Sequence, residues 1–226
     1  MNEPTLHYLE RLPTDHSGGP HPPLVILLHG RGAEAKVIHS IEGLLDKRLH
    51  IVAITAPYDS EIKGREWFRP REAVPGDIRY AEQFAEAERI LTGDIHAHCA
   101  RLAIDQSRIF LWGFSQGAAM AAIIGLRGTI RPLGVIPMAG FLPTPVRDWG
   151  AWDTHSRFLF AHGTEDEVLA PKTSLDAIDF LTAHGVQAEY HSYRGRHKMT
   201  MDSVRFINEW IVRLAWPAEH TTTQTA

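Results

Sequence analysis

Ser115 is the residue whose neighbours best equip it for chemistry. It lies in Gly113-Phe114-Ser115-Gln116-Gly117, between a short apolar run ending at Trp112 and an Ala-, Met- and Ile-rich stretch over residues 118–126. A G-x-S-x-G between a strand and a helix forms a turn tight enough to strain the serine backbone. The residues two before and two after must then lack side chains for the helix to pack. Such a turn lifts the Ser115 hydroxyl above the sheet edge and points the Gln116 N–H at the same space. The chemistry this suits is nucleophilic attack on an acyl carbonyl. A serine hydroxyl needs a histidine to take its proton and a carboxylate to orient that histidine.

Those partners belong on loops that leave the C-terminal ends of strands, in the chain order serine, acid, histidine. Phe158-Leu159-Phe160-Ala161 runs into His162-Gly163-Thr164-Glu165-Asp166-Glu167, and a later strand runs into Arg194-Gly195-Arg196-His197. With 14 histidines in the chain, a histidine in a useful loop carries little weight alone. His197 stands out because it falls between the last strand and the last helix. His29 and His162 are read as holding loops by hydrogen bonds. Glu165, Asp166 and Glu167 are adjacent, and residue type does not choose among them. An oxyanion hole needs two N–H donors. Gln116, following the nucleophile, supplies one, and Arg31 within His29-Gly30-Arg31-Gly32 is the candidate for the other.

The elements that must position these residues are legible as alternating runs. Residues 24–28 (Leu-Val-Ile-Leu-Leu) and 51–56 are continuous apolar stretches, expected of strands buried on both faces. Residues 133–138, 158–161 and 188–193 are further strands, and residues 5–12 suit an edge strand. Helices are expected over 35–49, 118–126, 173–183 and 199–214, the last with Val204, Ile207, Ile211 and Leu214 on one stripe. Another starts at Asp77, a good N-cap, with Ala81, Phe84, Ala85, Leu91, Ile95 and Leu102 on its apolar face. Strands alternating with helices predict a mostly parallel sheet covered on both faces. Residues 57–76 form a long excursion with breakers at Pro57, Gly64, Pro70 and Pro75; loops of this length are usually functional or disordered. Residues 1–216 read as one domain, and residues 217–226 as a frayed polar tail.

Composition excludes several classes. A net charge of −4 with no basic block argues against nucleic acid or an anionic membrane as partner. Cys99 is the single cysteine, so no intrachain disulfide can form, and the N-terminus shows no signal-peptide pattern; a cytoplasmic protein is expected. Residues 109–126 carry no charge over 18 residues but contain Ser115, Gln116 and three glycines, and divide into strand, turn and helix, not a membrane span. His96 and His98 are two apart on a helix, diverge and cannot share a metal. Cys99 is read as a small core side chain. No metal or cofactor is expected.

Leu28-His29-Gly30-Arg31-Gly32, Gly113-Phe114-Ser115-Gln116-Gly117, His162-Gly163-Thr164-Glu165-Asp166-Glu167-Val168 and Gly195-Arg196-His197 occur in that order. Together they resemble the phospholipase/carboxylesterase family of α/β-hydrolases, which includes acyl-protein thioesterases and small bacterial carboxylesterases. The similarity runs over roughly residues 24–214. It implies a single-domain α/β-hydrolase without a large lid, with Ser115 as nucleophile, Asp166 as acid, His197 as base, and the Arg31 and Gln116 amides as oxyanion donors. Trp67-Phe68 is similar to a W-F element near the family's acyl pocket, and Ala139-Gly140-Phe141-Leu142-Pro143 to its S-G-x-L-P turn. Trp67 and Phe68, with Phe141 and Leu142 opposite, would then wall a substrate site. Two departures stand at the rim: Arg196 replaces the usual Gly before the histidine, and Pro171 comes one place late after the acid.

The resemblance implies hydrolysis of carboxylic esters, with thioester or lysophospholipid cleavage as the alternative within the same chemistry. A shallow, open site favours short-to-medium acyl or aryl esters as small-molecule substrates. The alternative of a different class is a non-catalytic ligand-binding homologue. Homodimers are common in the family, though the sequence does not fix the oligomeric state of this chain, and no stable membrane insertion is expected.

Overall fold

The computed structural model describes residues 3–69, 78–147 and 151–217. Seven strands form one sheet in the order β1-β3-β2-β6-β7-β8-β9. They are β1 (Tyr8–Arg11), β2 (Leu24–Leu28), β3 (His50–Ile54), β6 (Ile109–Phe114), β7 (Gly134–Met138), β8 (Arg157–Gly163) and β9 (Ala188–Tyr193). β1 is the edge strand expected of residues 5–12, and it runs antiparallel to β3, pairing Tyr8 with Ile54. Every other neighbouring pair runs parallel.

The continuous apolar runs follow from burial on both faces. Along β2, Leu24, Ile26 and Leu28 point into one core cluster, and Val25 and Leu27 into the other, as the period of two demands. Helices α2 (Ile78–Leu102), α3 (Gln116–Arg127) and α5 (Lys172–Ala183) cover the first face through residues such as Phe84, Leu91, Ile123 and Leu181. Helices α1 (Ala35–His39) and α6 (Met201–Ala215) cover the second through Ile38, Val204, Ile207 and Trp210. No helix of the described residues is long and apolar enough to cross a membrane.

Several elements differ from expectation. The helix expected over 35–49 stops at His39, and a 3₁₀ turn over Glu42–Leu44 follows. Its stretch contains Gly43 and the β-branched Val37, Ile38 and Ile41, all poor helix formers. On α2, Ala85 faces solvent and Ala87 takes its place in the core, because the 3.6-residue period carries Phe84 to Ala87 and Leu91. The Asp77 cap, the Ala81 side chain, the breakers Pro70 and Pro75, and residues 218–226 of the tail lie outside the described residues. Within the long excursion, strands β4 (Tyr58–Asp59) and β5 (Arg65–Glu66) form a two-stranded antiparallel pair. It docks on the turn after β2, where Gly32 N–H donates to the Arg65 carbonyl at 2.9 Å. A Cβ on Gly64, whose φ is +58°, would stand 2.7 Å from the Gly32 oxygen. Only glycine allows that approach.

The strand order reverses between β2 and β6, since β3 lies on one side and β7 to β9 on the other. Open parallel sheets bind ligands in the crevice at such a point, beyond the C-terminal strand ends. The turn after β2 and the turn after β6 both open there.

Candidate active site

β6 passes into α3 through Ser115, which holds φ 54° and ψ −114°, a conformation that costs a non-glycine residue on the order of 1–3 kcal/mol. The surroundings enforce it. A Cβ on Gly113 would lie 2.0 Å from the Gly117 oxygen, and one on Gly117 would lie 2.3 Å from the Leu28 oxygen. The turn is also tied to the next strand by the Ser115 N–H, which donates to the Met138 carbonyl at 2.9 Å. Gln116 and Gly117 open α3, where backbone N–H groups lack intrahelical acceptors and the helix dipole favours negative charge.

The loops after β8 and β9 are joined by backbone hydrogen bonds that continue the strand pairing. Thr164 N–H donates to the Tyr193 carbonyl and Glu165 N–H to the Gly195 carbonyl, each at 2.9 Å. Gly163 is required there, because a Cβ would stand 2.4 Å from the Gly195 oxygen. The Tyr193 hydroxyl donates to the Lys198 carbonyl at 2.9 Å, and a Thr200–Ser203 capping box starts α6. His197 is thereby held from both sides of its loop.

His197 Nε2 lies 3.0 Å from Ser115 Oγ, and His197 Nδ1 lies 2.7 Å from Asp166 Oδ2. The Phe114 ring packs against the imidazole, with centroids 5.0 Å apart. Of the three adjacent acids, Asp166 alone turns inward. Its side chain is fully buried, whereas those of Glu165 and Glu167 are 53% and 73% exposed and pair outward with Arg194 and Arg196. Arg196, the rim departure, reaches across to Glu167 on the neighbouring loop at 2.6 Å.

Burial acts to raise the Asp166 pKa. The Leu169 amide, the His197 hydrogen bond and the Val168 amide outweigh it and hold the carboxyl below its ordinary range. His162, fully buried, places Nε2 at 3.1 Å from Asp166 Oδ2 and 3.0 Å from the Leu169 carbonyl, and Nδ1 at 2.7 Å from Ser174 Oγ. Two acceptors around Nε2 fix the proton there, leaving Nδ1 to accept from the Ser174 hydroxyl. His162 thus holds a loop, as expected, and the residue it holds is Asp166.

Behind the turn after β2, His29 Nε2 accepts from the Ala56 N–H at 3.0 Å, and Nδ1 lies 2.7 Å from the Gly30 carbonyl. Burial pushes its pKa below the ordinary 6.5, against the Gly30 hydrogen bond that favours the charged form. The unfolded chain therefore binds the His29 proton first, so stability should fall as pH drops below the ordinary histidine value. Asp166, and Asp94 beneath the N-terminal segment (also held below its ordinary value, against the effect of burial, by His98 and the Leu6 and Thr5 amides), contribute stability that is lost as pH falls on through the carboxylate range. Urea midpoints at pH 7.5, 5.5 and 4 should decrease in that order. A higher midpoint at pH 5.5 than at 7.5 would contradict this.

The expected apolar wall is distributed differently. Trp67 is 0% and Phe68 2% exposed, both inside the core cluster that also contains Leu142. Side chains buried this deeply are packed into the core instead of facing the crevice, so Trp67 and Phe68 brace the site from beneath. Phe141 is the one of the four with appreciable surface. Its type and position in a Gly-rich strand exit gave no means of telling it from Leu142. Cys99 is buried, its thiol pushed up to about 11 by desolvation. Among the described residues, no group of three or more His, Cys, Asp or Glu side chains is arranged to hold a metal ion.

The phospholipase/carboxylesterase family model matches residues 12–214. Acyl-protein thioesterase 1 homolog 1 of Dictyostelium discoideum is 22% identical over 216 residues, spanning 90% of this chain and 93% of its own. The crystal structure of esterase PE8 superposes with a TM-score of 0.79 at 22% identity, over 94% of this chain and 100% of that one. The Bacillus cereus carboxylesterase gives 0.77 at 18% identity, over 92% and 94%. At these identities the two structures share the fold, a mostly parallel sheet flanked by helices.

Proposed function

The chain belongs to the phospholipase/carboxylesterase family of α/β-hydrolases, and from that membership we propose that it is a serine hydrolase of carboxylic esters with Ser115, His197 and Asp166 as its triad. The observation that carries the reading is the chain of contacts from Ser115 Oγ to His197 Nε2 at 3.0 Å and from His197 Nδ1 to Asp166 Oδ2 at 2.7 Å. Asp166, ionised, accepts a hydrogen bond from Nδ1–H and so leaves the Nε2 lone pair facing Ser115. His197 takes the hydroxyl proton as Ser115 attacks the carbonyl. The negative charge that develops on the carbonyl oxygen is met by the Gln116 and Arg31 amides. His197 then protonates the leaving alcohol and activates the water that hydrolyses the acyl-enzyme. Every step uses side chains and amides of this chain.

Substrate size follows from how little covers the crevice. Among the described residues, the connections at the C-terminal strand ends hold the β4–β5 pair and the short α4 (Thr144–Arg147), with no helical lid. A methylene contributes about 0.8 kcal/mol only while it leaves water, so gains should stop once an acyl chain reaches solvent. Short-to-medium acyl or aryl esters should be preferred. Similarity to an acyl-protein thioesterase over nearly the whole chain favours thioesters as the second reading. p-Nitrophenyl esters of two to sixteen carbons, assayed beside the matching acyl thioesters, decide between them. A kcat/KM optimum among the shorter esters supports the reading. An optimum at the long end, or a preference for thioesters, overturns it in favour of the second.

A further inference from the structure

We propose that the Gln116 side chain, acting through Trp67, is a positioning residue that sets the spacing of the two oxyanion donors; this rests on the serine-hydrolase reading and deepens it. The donors lie on different elements, Gln116 at the start of α3 and Arg31 in the turn after β2. The β2–β6 pairing that would align them ends at Leu28 and Gly113. Beyond that register, Gly117 abuts the Leu28 and His29 carbonyls, but no ladder hydrogen bond ties one turn to the other.

The Gln116 carboxamide supplies the tie. Its Oε1 accepts the Trp67 backbone N–H at 2.7 Å, and its Nε2 donates to the Phe68 carbonyl at 2.6 Å. An N–H can only donate and a carbonyl only accept, so the amide has one possible orientation. Trp67 then donates its indole Nε1–H to the His29 carbonyl at 2.8 Å, the peptide that leads into Gly30 and Arg31. Three hydrogen bonds thus run from the elbow, across the excursion loop, to the second donor's turn. His29, Trp67 and Gln116 are all buried, so water does not compete for these groups. On this reading Gln116 divides its labour: its backbone N–H is one oxyanion donor and its side chain fixes the other. An oxyanion hole stabilises charge only with both donors in place before the reaction, and a displacement near 1 Å can cost about a hundredfold in rate.

Gln116→Met keeps the backbone N–H and side-chain length but loses both hydrogen bonds. Trp67→Phe keeps a ring but loses the indole donor. Binding of an alkyl boronic acid, whose tetrahedral serine adduct places an oxygen in the hole, reads the geometry directly, alongside kcat and KM for a short ester. Each variant should weaken boronate binding and lower kcat by about tenfold or more, with KM within about threefold. The double variant should be no worse than the poorer single one, because both cut the same path. Boronate affinity and kcat near wild type in either folded variant, losses confined to KM, or losses that multiply would overturn the inference. Should Gln116→Met fail to fold, Trp67→Phe carries the test alone. Hydrolysis retained by Ser115→Ala would instead overturn the reading on which the inference rests.

Discussion

Replacing Ser115 or His197 by alanine should each lower kcat by about 10⁶ while leaving the fold intact, the loss seen when a triad acting as one unit is broken. Ser115→Ala deletes the hydroxyl that His197 Nε2 faces at 3.0 Å. His197→Ala deletes the base and leaves the hydroxyl unactivated. The side chains of both are only partly buried, so neither substitution opens a large core cavity. Combining the two should cost little more than either alone. Single-turnover assays on a p-nitrophenyl ester would show this. A loss of less than about a hundredfold for either variant would place the chemistry elsewhere.

Asp166→Asn should cost about 10⁴ in kcat, and Glu165→Gln or Glu167→Gln no more than a few-fold. The carboxylate accepts on both oxygens. Oδ1 takes the Val168 and Leu169 amides at 2.9 Å each, and Oδ2 takes His197 Nδ1. An asparagine must keep its oxygen toward the two amides, so its NH₂ faces His197. The imidazole then accepts at Nδ1 and carries its proton on Nε2, where a lone pair is needed to receive the serine proton. Glu165 and Glu167 engage only exposed arginines on the outer side of the loop, and pairs of that kind contribute little. An inactive Glu165→Gln or Glu167→Gln protein would reassign the acid.

The legibility of this architecture in the sequence varied with how local its cause is. β2 and β9 are bounded by breakers and by pattern, and they begin and end where the runs of Leu24–Leu28 and Ala188–Tyr193 do. The Gly113 and Gly117 requirement is likewise local, a matter of backbone atoms within one turn. Residue types leave the choice among Glu165, Asp166 and Glu167 open and only the family resemblance points to Asp166, because the inward turn of that carboxylate is set between two loops distant in sequence, where Gly163 packs on Gly195. Trp67 and Phe68 illustrate the opposite failure. Large aromatics in a long loop suggest an exposed wall, but the loop is folded onto the elbow by the Gln116 carboxamide, and that contact joins residues 49 apart. The β4–β5 pair leaves no signal in the sequence for a related reason. Strands of two residues carry no period, and this one is held by Gly64 lying against Gly32.

Labelling with a fluorophosphonate, followed by peptide mass mapping, tests the central claim most directly, because the reagent reacts with a serine activated by a base beside an oxyanion hole. One residue, Ser115, should be phosphonylated, with labelling abolished in Ser115→Ala and slowed by orders of magnitude in His197→Ala. An adduct on another residue, or an unlabelled Ser115 in protein that still hydrolyses esters, would contradict it.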